Sequence, residues 1–253
     1  VRLTRVYSRA PLESGHVALL SGPSAEHVAR VLRRRAGDAL TVFDGRGGEF
    51  DARIESVGRP GVRITVGEHH NIERESPVGT TLLQGVSRGE RMDFVVQKAT
   101  ELGVHRIVPV ETERSVVRLD AAARTRRRDR WNAVAESACE QCGRNRIPEI
   151  SEPCSLDAAL GRVSALPVRV LLDPLATEGL SARLTAGARE VAVLIGPEGG
   201  LTEEECRSAL AAGFDGCSLG PRILRTETAA LAILVAIQSL AGDLGGSSHG
   251  CCQ

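Results

Sequence analysis

The stretch VAVLIGPEGGLTEEE (residues 191–205) decides the fold. Five consecutive apolar residues, three of them β-branched, form a run short enough for a strand and too apolar to face water on either side. Gly196 and Pro197 end it, and Gly199 and Gly200 let the backbone turn tightly. Thr202 followed by Glu205 has the spacing of a capping box, and Glu203 to Glu205 place negative charge where a helix N-terminus favours it. The reading is buried strand, glycine loop, helix.

Working outward, the same rhythm recurs. TLLQGV (81–86), HRIVPV (105–110), VRVLLD (168–173) and GCSLG (216–220) read as further buried strands. GERMDFVVQKATELG (89–103), a long segment from about Asp120 to Cys142, and a last segment from Thr226 read as helices. Apolar strands alternating with helices predict a parallel α/β sheet. Upstream the pattern differs. TVF (41–43), FDARIESV (50–57) and VRITV (62–66) alternate with period two between DGRGG and GRPG turns, which predicts a small β-barrel. One helix interrupts it, with Ser24 as cap, Ala25, Val28, Val31 and Leu32 as its buried stripe, and Gly37 at its end. NIERESP (71–77) reads as a polar linker. The domains expected are therefore 1–72 and 78–243, with 244–253 a disordered tail.

The bulk numbers exclude several classes. Of 253 residues, 42% are hydrophobic and 25% charged, as in ordinary globular proteins. No apolar run reaches the length of a membrane span. VRLTRVYSRAPLESG at the N-terminus lacks an apolar signal core, so the expectation is a cytoplasmic protein. Residues 1–150 carry 25 basic against 20 acidic side chains and the remainder 7 against 12, an asymmetry that hints at a polyanionic partner for the first part. Lys98 is the sole lysine among the 32 basic residues, so arginine abundance alone does not signal nucleic-acid recognition. Seven cysteines are an odd number and argue for reduced thiols.

Three glycine- and proline-punctuated loops fall at strand C-terminal ends: LLDPL (171–175), IGPEGGLT (195–202) and LGPRILRTETA (219–229). Ligands of open α/β sheets bind there. GPEGG matches neither the dinucleotide nor the P-loop glycine pattern, has no lysine, and contains Glu198, which would repel a polyanion. A neutral or cationic ligand fits better, and S-adenosylmethionine, with its positive sulfonium, is the candidate. CEQCGRNR (139–146) raises a different possibility, a zinc or redox site. Zinc needs four ligands, and no second Cys-x-x-Cys follows. A redox pair usually starts a helix, whereas this pair closes one, with Gly143 as cap. The stretch is read instead as a helix end and basic turn offered to RNA.

SRGERMDFVVQKATELG (87–103), ESACEQCGRNRIPEI (136–150), VLIGPEGGLT (193–202) and LGPRILRTETAAL (219–231) together resemble the RsmE family, as do HVARVLRRRAGD (27–38) and FDGRGGEFDARI (43–54) more loosely. The resemblance implies an N-terminal PUA-like RNA-binding β-barrel and a C-terminal α/β domain of the SPOUT class with a trefoil knot. It implies S-adenosylmethionine-dependent methylation of N3 of a uridine in small-subunit (16S) ribosomal RNA, and a homodimer. TAALAILVAIQSLAG (228–242), apolar on most sides, is compatible with a subunit contact. The cofactor residues carried over are Leu172; Gly196, Pro197, Glu198, Gly199 and Gly200; and Leu219, Gly220, Ile223, Leu224 and Thr226.

Removing an imide proton and stabilising the resulting charge call for a base and a cation. Arg225 is the candidate for binding the uracil and Glu227 for the base, with Glu198 as alternative. Candidate RNA contacts are Arg9, Arg30, Arg33, Arg88, Lys98, Arg114, Arg144, Arg146 and Arg222, recognising shape and backbone, because aromatic residues make up only 2% of the chain. The arginines of RTRRRDR (124–130) read as a solvated helix face. No metal is expected. Rival readings are methylation of another RNA position, such as a ribose 2′-oxygen or a large-subunit site, and a non-catalytic RNA-binding ribosome assembly factor.

Overall fold

The computed structural model describes residues 4–115, 120–184 and 187–245. The proposed disordered tail falls mostly outside them, as do Cys251 and Cys252. The chain divides into two compact units: residues up to Glu75 together with Glu136–Ile147, and Ser76–Ala135 together with the residues from Pro148 on.

In the first unit β1 (Arg5–Tyr7) pairs in parallel with β3 (Ala39–Phe43). Strands β3, β4 (Glu49–Gly58), β5 (Gly61–His70) and β2 (Val17–Leu20) continue antiparallel, in the order β1-β3-β4-β5-β2. Side chains of a strand alternate between faces, and Phe50, Ala52 and Ile54 of β4 point into a core with Val6, Leu40, Val42, Ile64 and Val66. The expected helix is present but differently bounded. Helix α1 (Gly22–Glu26) is capped at Ser21 and runs into a π-helical turn, His27–Val31. Pro23, which suits a first helical turn, fixes this start ahead of Ser24. Gly37 does not end the helix: Arg33 already has a left-handed φ of 51°, and the Gly37 amide donates instead to the Ile54 carbonyl.

The second unit holds a parallel sheet in the order β12 (Asp215–Cys217), β10 (Val168–Leu172), β11 (Glu190–Ile195), β6 (Gly79–Gly85), β7 (Arg106–Glu111), β8 (Glu149–Ile150). A short β9 (Cys154–Ser155) also pairs with β7. Residues 191–195 are all buried, as a central parallel strand requires. Leu83, Val108, Leu171 and Leu194 pack with α4 (Leu156–Arg162) and α5 (Glu203–Ala211). Helices α2 (Arg91–Glu101) and α6 (Thr226–Ala241) pack on each other, and α6 also touches β6 and β11. The capping box at Thr202 and Glu205 forms in both directions. Among the described residues no helix is long and apolar enough to cross a membrane.

Helix α3 (Ala121–Cys142) contributes its last residues to the first unit. Its arginine-rich start is ion-paired within the second unit, Arg124 with Glu111, Arg128 with Glu152 and Arg130 with Asp93. Gly143 follows with φ of 94°, its amide bonded to the Cys139 carbonyl. The turn that closes the helix is where the sequence reading fails. Arg144 is buried and its guanidinium pairs with Glu75 through two nitrogens. Asn145, fully buried, accepts from Arg5 Nη2 at 2.7 Å and donates to the Ile72 carbonyl at 2.7 Å. Glu140 accepts from the Tyr7 amide at 2.9 Å. CEQCGRNR is therefore a plug sewn into the first unit rather than a basic turn presented to RNA, and Arg144 is withdrawn as an RNA contact. NIERESP is likewise no free linker: Glu73 pairs with Arg146, Arg74 donates to the Gly143 carbonyl, and Glu75 holds Arg144.

Candidate active site

The loops after β10, β11 and β12 converge, as the strand pattern predicts, around a cavity of about 640 Å³. Leu172, Gly196, Pro197, Glu198, Gly200, Leu219, Gly220, Ile223, Leu224 and Thr226 line it, together with Arg222, Arg225 and Glu227. Sequence reasoning missed Arg91, Asp173, Leu175, Ile195, Leu201 and Cys206 on the same walls. Asp173 and Leu175 lay inside the quoted LLDPL loop and were legible there. Arg91 and Cys206 arrive on helices whose docking no local pattern reveals.

The 196–200 loop is built by backbone. The Gly200 amide donates to the Pro197 carbonyl at 2.9 Å, and Gly200 has φ of 70°, a conformation costly for residues with a Cβ. A Cβ on Gly85 would fall 2.4 Å from the Pro197 nitrogen, so the end of β6 abuts the loop directly. Gly199 is not among the lining residues. It faces the other way, where an added Cβ would meet the Arg114 side chain at 3.1 Å. Arg114 Nη1 donates to the carbonyls of Gly199 and Leu201 at 3.1 and 3.4 Å. The guanidinium proposed for RNA is here a brace behind the loop.

Glu198 accepts from Arg91 Nη1 at 2.5 Å and from the Arg88 amide at 3.1 Å. Burial alone would raise its pKa; backbone amides and Arg91 outweigh that and hold the carboxyl below its ordinary value. A carboxylate so tied is a poor proton acceptor. Arg225 caps α6 with extended backbone. It is exposed on the cavity wall, and no ion-pair partner is recorded for it among the described residues. Arg222 is exposed on the same wall.

The remaining candidate RNA contacts are dispersed. In the first unit Arg9 is exposed but paired with Glu136 at 3.1 Å, Arg30 lies 3.9 Å from Glu26, Arg33 is exposed, and Arg146 pairs with Glu73 at 2.7 Å. In the second, Arg88 is exposed and Lys98 pairs with Glu101 at 2.8 Å. The Cys139 thiol is pushed far up by its hydrogen bond with Cys142 and by burial, the opposite of a reactive thiolate. Among the described residues no cluster of side chains could hold a metal ion.

Comparison with known proteins fits this architecture. A family model described as an RNA methyltransferase domain matches residues 74–238, and one described as an RNA methyltransferase PUA domain matches residues 20–67. The ribosomal RNA small subunit methyltransferase E of Bacillus subtilis is 32% identical over 91% of this chain and 93% of its own. A methyltransferase from Legionella pneumophila, solved with bound cofactor SAM, superposes with a TM-score of 0.92 at 40% identity, covering 96% of this chain and all of that one. The Neisseria gonorrhoeae ribosomal RNA small subunit methyltransferase E, solved bound to S-adenosyl methionine, gives 0.86 at 35% identity over the same shares. The fold is thus a PUA-like unit followed by a SPOUT α/β unit. Matched over at least nine tenths of both partners in each of these comparisons, the chain belongs to the RsmE family of RNA methyltransferases.

Proposed function

We propose that the protein methylates N3 of a uridine in small-subunit (16S) ribosomal RNA, using S-adenosylmethionine. The observation that carries this reading is the cavity itself, a largely apolar cleft edged by glycine loops, with the exposed Arg225 and the Glu227 carboxylate on its wall. Leu172, Ile195, Leu219 and Leu224 offer apolar surface to an adenine, and the 196–200 loop and Gly220 let backbone groups approach it. Asp173 and Glu227 on the wall can face the positive sulfonium, Glu198 being already paired with Arg91. When bound, the cofactor supplies an electrophilic methyl group on a positively charged sulfur.

The chain's own residues supply the rest. Arg225 donates to a uracil carbonyl and stabilises the charge that develops there when N3 loses its proton. Glu227, one helical residue beyond Thr226, accepts that proton. The apolar walls exclude water and hold the base beside the methyl. Arg222 at the rim, with Arg88, Lys98, Arg9, Arg30, Arg33 and Arg146, contacts RNA phosphates. The Leu172, Gly196–Gly200 and Leu219–Thr226 loops form the cofactor site, Gly199 contributing through its backbone.

The functional domains are 1–72 joined by the 136–147 plug, and the rest of 78–243. The return from outlying β12 to α6 against β11 and β6 supports a threaded, knotted C-terminal region. Val235 and Leu240 on α6 and Phe94 on α2 are large apolar side chains open to solvent, and they support a homodimer formed there. The protein works in the cytoplasm, where small subunits are assembled.

The test incubates the protein with labelled S-adenosylmethionine and under-modified small ribosomal subunits, then maps the methyl by primer extension. N3 methylation blocks base pairing, so reverse transcription should stop at one uridine. Label on a ribose, on large-subunit RNA, or nowhere would overturn the reading. Arg225→Ala should abolish transfer while leaving cofactor binding intact, and equal loss of both would reassign Arg225 to the cofactor.

A further inference from the structure

Gln84, next to last in β6, is fully buried yet carries an amide that the cavity walls do not use. Its Nε2 donates to the Thr226 hydroxyl at 2.8 Å and to the Gly85 carbonyl at 3.2 Å. Thr226, also buried, donates to the Gly196 carbonyl at 2.7 Å. A hydroxyl has one hydrogen. Because Thr226 Oγ1 accepts from Gln84, that hydrogen is committed to Gly196. Turning the Gln84 amide over would set its oxygen against the Gly85 carbonyl, two acceptors with no hydrogen between them. The chain of bonds therefore runs one way, from β6 through the first residue of α6 to the first residue of the 196–200 loop.

The arrangement leaves Gln84 Oε1 without a recorded partner, a cost that an apolar residue in the same strand would avoid. In register, Gln84 lies beside Ile195 of β11 and Pro109 of β7, neither of which carries a polar side chain. Arg225 and Glu227, flanking Thr226, are the charged groups nearest to the bonded pair along the chain.

We propose that Gln84 is a positioning residue. Through Thr226 it fixes the Gly196 carbonyl, and so holds both the 196–200 loop and the start of α6, with Arg225, in cofactor-binding geometry. The inference rests on reading the cavity as an S-adenosylmethionine site.

Gln84→Met keeps the length and removes both donors. Gln84→Glu offers a carboxylate that draws the Thr226 hydrogen away from Gly196 at neutral pH; once protonated, it can donate to Thr226 and restore the original direction. Three measurements on the full chain test the idea: thermal melting, amide exchange of Glu198 to Gly200 without cofactor, and S-adenosylmethionine affinity by calorimetry. Gln84→Met should stay folded, exchange faster in that loop alone, and bind about tenfold more weakly, the loss of one or two buried hydrogen bonds. Gln84→Glu should lose affinity relative to wild type at about pH 8 and regain it towards about pH 6, the range into which burial lifts a carboxyl. Because a buried carboxylate also weakens the fold in a way that protonation relieves, the two affinities are compared only where thermal melting shows Gln84→Glu fully folded, and loop exchange in Gln84→Met separates positioning from stability. Unchanged loop exchange and affinity within about twofold of wild type in Gln84→Met would overturn the proposal, as would an affinity loss in folded Gln84→Glu that is the same at both pH values. If wild type itself fails to bind S-adenosylmethionine, the functional reading falls, and cofactor-free loop exchange still decides the role of Gln84.

Discussion

A methyl group on Gly196 would fall 3.0 Å from the Leu201 amide nitrogen and 3.1 Å from the Gly200 carbonyl carbon, and backbone atoms at both points have little room to move. Gly196→Ala should therefore open the turn. We expect cofactor affinity, measured by calorimetry, to fall about tenfold or more, the equivalent of roughly 1–3 kcal/mol of overpacking, with secondary structure unchanged by circular dichroism. Affinity equal to wild type would show that the turn is softer than its packing implies. Glycines and prolines at strand ends were legible because their signal is local: each restricts or frees its own backbone. Arg144 was misread for the converse reason. Its charge is plain in the sequence, but the Glu75 that buries it lies 69 residues earlier. Arg114 shows the same limit, since a guanidinium that braces a loop and one that grips a phosphate look alike until the fold is known.

Between elements, the 136–147 segment gives the sharpest contrast. The Arg144–Glu75 pair has side-chain exposures of 5% and 10%, the Arg146–Glu73 pair 52% and 37%. Removing one member of a buried pair strands the other charge and costs about 3–5 kcal/mol, whereas an exposed pair contributes about 0–1 kcal/mol. Urea denaturation should thus show Arg144→Met strongly destabilised and Arg146→Ala nearly unchanged. Comparable midpoints would place Arg144 outside the stabilising network. The same unit should weaken in acid. Burial alone would raise the Glu49 pKa, but Arg5 and Arg74 outweigh it and hold the carboxyl below its ordinary 4.5. The unfolded chain therefore binds that proton more readily, so this contribution is complete above 4.5 and is lost as pH falls below it. Thermal melts across about pH 3–7 should show a shallower acid limb for Glu49→Gln than for wild type; parallel limbs would contradict this. The capping box at Thr202 was readable because both partners lie within one helical turn. The first helix was misjudged because Ser24 and Gly37 are suitable cap residues that Pro23 and the Ile54 carbonyl redirect.

For the whole molecule, alternation of strands and helices was enough to give a barrel-like unit and a parallel α/β unit, since period and run length are properties of the chain itself. Strand order was not legible, because β12 joins the sheet beside β10 rather than beside its predecessor β11. The proposed subunit association rests on exposed apolar residues of α2 and α6. The proposed homodimer predicts that wild type sediments as a dimer and Val235→Glu as a monomer at the same concentration, with the melting temperature retained to within a few degrees; equal sedimentation coefficients would remove the contact from this face. The discontinuity of the first unit has a consequence for synthesis. Glu75 leaves the ribosome 69 residues before Arg144, the arginine that neutralises it. At about 5–20 residues per second the wait is several seconds. During it Glu75 carries a charge that its pair with Arg144 will later bury. The part of the chain made first is not the part that can finish first, and the arginine–glutamate stitches act as a delay written into the order of the sequence.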